Sequence, residues 1–87
     1  MELDKFLEKY AVGNDKVLLK KMKSKQYPLS NRIMELETKL GFNQKQTASY
    51  LNIPFNKLLK LEAVDLSVPV NDYQAVVNKL EAELSRL

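Results

Sequence analysis

A chain of 87 residues is long enough for one small domain, in the size range where a single core is only marginally adequate. Hydrophobic residues at 45% beside 29% charged give a globular rather than a disordered balance, and the lack of Cys and His excludes disulfides and the usual zinc ligands. The net charge of +3 is unevenly spread: from Lys16 to Lys60 ten Lys or Arg stand against Glu35 and Glu37, whereas from Leu61 onward five acids face two bases.

In chain order, Leu3, Phe6, Leu7 and Tyr10 recur at helical spacing and predict a short amphipathic helix that Gly13-Asn14 ends. Asp15 is placed to cap the next helix, where Val17, Leu18 and Met22 alternate with Lys16, Lys20, Lys21, Lys23 and Lys25. This reads as a basic helix with a thin apolar stripe. Tyr27-Pro28 predicts its break, because the residue before proline avoids the helical region. Residues 1–29 are therefore expected to form an N-terminal helical extension, either an added packing layer or a partner-binding arm. Residues 30–87 form the main domain. Ser30 or Asn31 opens its first helix, with Ile33, Leu36 and Leu40 as the buried stripe and Arg32, Glu35 and Lys39 on the wet face.

Two short helices about a tight turn follow. Asn43 is positioned to cap the first of them, with Gln46 at capping-box spacing. Ala48 and Leu51 lie on one face, and Asn52 tolerates the left-handed conformation that stops a helix abruptly. Ile53 plugs the corner, and Pro54 fits a first helical position. Leu58 and Leu61 then give the second helix a buried stripe, so the pair reads as a helix-turn-helix. Residues 64–70 make a loop, after which Asn71, with Gln74 at capping-box spacing, opens the last helix. Its stripe is Tyr73, Val76, Val77, Leu80, Leu84 and Leu87, and it outlasts the length needed to close a small bundle. Leu84 and Leu87 are left for an oligomer contact or a frayed end.

The central stretch resembles the DNA-binding core of the lambda-repressor-like (Xre-type) helix-turn-helix family. Gly41, Phe42, Asn43 and Gln44 match the order in which that family ends one helix and opens the next. Ala48, Leu51, Asn52 and Ile53 match its mid-helix alanine and its turn, and Leu61-Glu62 matches its usual close. The likeness spans about Arg32 to Leu80. It implies an all-α fold, a small five-helix bundle of lambda-repressor-like helix-turn-helix type. It also implies a homodimeric regulator that binds double-stranded DNA with the helix from Pro54 to Glu62 in the major groove. On this likeness Gln44 anchors a phosphate, Lys45 adds a contact, and Asn56, Lys57 and Lys60 reach phosphates or base edges. The chain departs from the family in having Pro54 where Ser or Thr is common, and Asn52 where Gly is usual. Phe55 and Leu59, four apart on one helix face, replace polar groups. Such a pair suits thymine methyls, with Phe55 as a DNA contact, or a covering protein.

The concentration of Lys and Arg before and within the helix-turn-helix is what a phosphate-facing surface requires, and equally what solvated helix faces carry. No catalytic residues are expected. The commonest general base and the best nucleophile are missing, Glu35 and Glu37 point to different sides of a helix, and no phosphate-cradling glycine loop exists. No cofactor or metal is expected either. The longest apolar run is far below a membrane span and Met1-Glu2-Leu3-Asp4 is unlike a signal peptide, so a cytoplasmic protein without membrane contact is expected. Three readings follow: a sequence-specific DNA-binding regulator, an antitoxin-type regulator whose N-terminal helices hold a toxin, and a protein-interaction module that kept the fold but lost DNA.

Overall fold

The computed structural model describes residues 16–87, which form five helices: α1 (Lys16–Met22), α2 (Gln26–Leu40), α3 (Gln44–Leu51), α4 (Phe55–Glu62) and α5 (Val70–Ser85). No strand occurs among the described residues, and the protein is all-α. The segment carrying Leu3, Phe6, Leu7 and Tyr10, its Gly13-Asn14 stop and the Asp15 cap lie outside the described residues.

The long helices α2 and α5 make the most extensive contact, and α3 and α4 pack as a pair against them. Ile33 and Leu36 from α2, Ala48 and Leu51 from α3, Leu58 and Leu61 from α4, and Tyr73, Val76, Val77 and Leu80 from α5 meet in one core. The stripes read from helical spacing thus converge, with Leu40 and Leu84 packed at its edge and Leu87 85% exposed.

Three expected helix starts are corrected. The break placed at Tyr27-Pro28 falls instead at Lys23–Lys25, and α2 runs unbroken through Pro28 and across residues 29 and 30. Pro28 is tolerated because it stands in the first turn, where its missing N–H has no helical partner. Ser24 makes the join, its Oγ donating to the Lys21 carbonyl at 2.6 Å and accepting the Tyr27 N–H at 3.3 Å. Ser30 therefore does not open a helix. It is a fully buried residue inside one.

Pro54 and Pro69 occupy the same position one residue before α4 and α5, with φ −60° and ψ 144° and 149°. Pro54 is thus the cap rather than the first helical residue, and Asn71 lies inside α5 instead of capping it. In both cases the locked φ of proline sets the entry without help from a side-chain oxygen.

Three helices end in a left-handed residue: Gly41 (φ 74°), Asn52 (φ 56°) and Val64 (φ 56°). Each end closes with the same long-reach bond, from Phe42 N–H to Glu37 O, Ile53 N–H to Ala48 O and Asp65 N–H to Lys60 O. Glycine and asparagine adopt this conformation readily, whereas a β-branched residue is strained there. Val64 is held by burial of its side chain at 8% exposure.

Candidate nucleic-acid interface

The helix pair is built from local signals that the structure satisfies. Asn43 Oδ1 accepts the Gln46 N–H at 2.8 Å while Gln46 Oε1 accepts the Asn43 N–H at 2.9 Å, the reciprocal cap read from the spacing. Asn52 then reverses the chain, Ile53 packs against the core, and α4 starts after Pro54. Leu58 and Leu61 face inward at zero exposure.

The remaining positions of α4 look outward. Phe55, Asn56, Leu59 and Lys60 are exposed, the two apolar members at 39% each. On α3, Gln44, Lys45 and Ser49 are exposed as well. Two of the residues expected to contact DNA are committed elsewhere. Lys57 pairs with Asp72 of α5 at 3.2 Å, on the rim of a groove lined by Leu51, Ile53, Val76 and Lys79. Gln44 donates from Nε2 to Glu62 Oε1 at 2.6 Å, across to the end of α4. Phe55, Asn56 and Lys60 therefore share the free side of α4, and Lys45 stands on the first turn of α3.

Behind that surface lies a polar cluster that the spacing argument passed over. Glu37 of α2 is 7% exposed, and its Oε1 is shut from solvent without a hydrogen-bond partner. Oε2 of Glu62, at the end of α4, is in the same condition. Burial, then the neighbouring Glu62 carboxyl, pushes the Glu37 carboxyl up from an ordinary 4.5 to about 8. Ser30 Oγ, beside them, donates to the last carbonyls of α4, Leu61 O at 2.7 Å and Glu62 O at 3.3 Å. Glu35, by contrast, is exposed and bonded to Arg32, which also reaches Glu81 of α5 at 3.0 Å.

A sequence signal for the cluster existed. Ser30 and Glu37 stand three before and four after Ile33, and Glu62 stands four after Leu58, all on the buried stripes. Helix α1 is tied in at the far end of α4 by Lys21 Nζ donating to Ala63 O at 3.2 Å, and Gln26 Nε2 reaches Val68 O at 3.3 Å.

Among the described residues no group of three or more acidic side chains could hold a metal, and no helix is long and apolar enough to cross a membrane. Comparison with known proteins gives no match to any family model, curated protein or solved structure. The class defined by fold and site is an all-helical protein with a capped helix pair that presents one polar-apolar face.

Proposed function

We propose that this chain is a sequence-specific DNA-binding regulator of the lambda-repressor-like kind, acting as a homodimer with α4 in the major groove. One observation carries the reading. The tightly turned pair α3 and α4 leaves Phe55, Asn56, Leu59 and Lys60 on a side of α4 that the core does not use. A helix whose outer side is free and whose inner side is locked is what insertion into a groove needs. Asn56 offers a base-edge contact, Lys60 and Lys45 offer phosphate contacts, and Phe55 offers an apolar surface to a thymine methyl. Lys57 and Gln44 contribute only if they exchange Asp72 and Glu62 for DNA. Leu87, exposed at the end of α5, is the first residue to examine for a dimer contact.

The test is selection from a random duplex pool at several salt concentrations, with Lys60→Ala beside the natural protein. A lost phosphate contact should lower affinity for all sequences and reduce the salt slope by about one. Loss of a base contact should instead cost ~1–3 kcal/mol on the preferred site alone. No selection at low salt would reject the reading.

The exposure of Phe55 and Leu59 favours a second reading, an interaction module or antitoxin whose α4 face is covered by protein. Binding of a partner blocked by Phe55→Gln, with no DNA selected, would establish it.

A further inference from the structure

The turn between α3 and α4 and the facing side of α5 border an open groove of about 170 Å³. Its floor is apolar: Leu51 and Ile53 come from the end of α3 and the turn, Ala75 and Val76 from α5. Its ends are charged. Lys57 and Asp72 pair at 3.2 Å across one end. Lys79 stands at the other, two helical turns after Asp72 and about 10 Å further along α5. Its Nζ donates to Leu51 O at 3.5 Å and lies 5.6 Å from the centre of the Tyr50 ring. That carbonyl is at the C-terminus of α3, where a cation is favoured, and the ring face adds to the hold. An ammonium carries three donors, and the carbonyl uses one of them.

The charges along the groove do not balance. Two ammoniums line it against one carboxylate, and that carboxylate is paired with Lys57 at the far end from Lys79. We infer that the groove binds a small apolar carboxylic acid as its anion, with the carboxylate on Lys79 and the apolar body over Leu51, Ile53 and Val76. The inference does not rest on the DNA-binding reading, since the groove is formed by the turn and α5 rather than by the outer side of α4.

Size and lining set the class of ligand. A cavity of ~150 Å³ lined by aliphatic and aromatic side chains accepts benzene, so the volume here suits one ring or a short branched chain. Apolar walls with a few placed polar groups are the usual make-up of a small-molecule site. A cationic ligand would meet the Lys79 ammonium with like charge. A neutral one would forgo the charge-assisted bond that a carboxylate makes to it. The distance between Lys79 and Asp72 lets an acid occupy the Lys79 end without facing the resident carboxylate.

The experiment titrates the full chain with benzoate at neutral pH and follows the methyl signals of Leu51, Ile53, Ala75 and Val76 by nuclear magnetic resonance. These signals should shift together and saturate, and added salt should weaken the response. Benzyl alcohol should bind more weakly, and benzylamine should not bind. Lys79→Gln should weaken benzoate several-fold and leave benzyl alcohol as in the natural protein. Asp72→Asn removes the one lining carboxylate and should tighten benzoate, a change of opposite sign. Ala75→Leu, which fills the groove from an exposed position, should abolish the response to both compounds. If Lys79→Gln fails to fold, Asp72→Asn and the two benzoate analogues still decide. The site is overturned by the lack of a saturable methyl shift with benzoate, by equal affinity for benzyl alcohol, or by a benzoate response that survives Ala75→Leu.

Discussion

The two sides of α4 obey different rules. On the inner side Leu58 and Leu61 have no exposure, Ser30 caps the last carbonyls from α2, and Glu62 accepts from Gln44 of α3. On the outer side Phe55 and Leu59 are 39% exposed, and Asn56 and Lys60 touch solvent. The inner side is fixed by burial, since each polar group there must find a donor or a proton. The outer side contributes little to the fold and is free to carry recognition. Stability and recognition are therefore expected to separate by side of one eight-residue helix.

The strongest way to break that contrast is on the inner side. Leu61→Ala opens a cavity in the core that Leu61 shares with Leu36, Ala48 and Leu51 and should cost ~2–5 kcal/mol, read as a lower denaturation midpoint at an unchanged slope. A melting temperature equal to that of the natural protein would show that α4 is not packed as described.

A smaller effect is expected from Ser30→Ala. It removes the hydroxyl that serves two carbonyls at the end of α4, leaving a buried acceptor without a donor, at about 1–3 kcal/mol.

The smallest stability change belongs to the outer side. Phe55→Gln should leave stability within about 0.5 kcal/mol, as for an ordinary surface substitution, and on the DNA-binding reading proposed above it should shift the sequence selected. A clear loss of stability, or dissociation on a sizing column, would mean that protein covers this side.

What could be read in the chain follows how far each signal reaches. Asn43, Gln46 and Asn52 act on backbone groups within a few residues, and all three behave as their spacing indicates. Pro28 shows the limit of such signals. Its ring disfavours the helical region for Tyr27, yet the helix begins before it, because Ser24 and the packing of Leu29 and Ile33 hold the first turn. Lys57 shows another limit. Its position on α4 suits an outward contact, but its direction is chosen by Asp72 on a different helix.

By itself the sequence determined the leucine and isoleucine stripes, the left-handed stops at Gly41 and Asn52 and the reciprocal cap of α3, because periodicity and local hydrogen bonding are set by neighbours in the chain. Tertiary structure alone decided the left-handed Val64, the Ser30 bond to a carbonyl 31 residues away and the burial of Glu37. Each of these is unfavourable for the isolated segment and is stable only when the core closes over it. A strained valine needs its side chain buried, and a carboxyl keeps its proton beyond the ordinary range only where the closed core shuts out water.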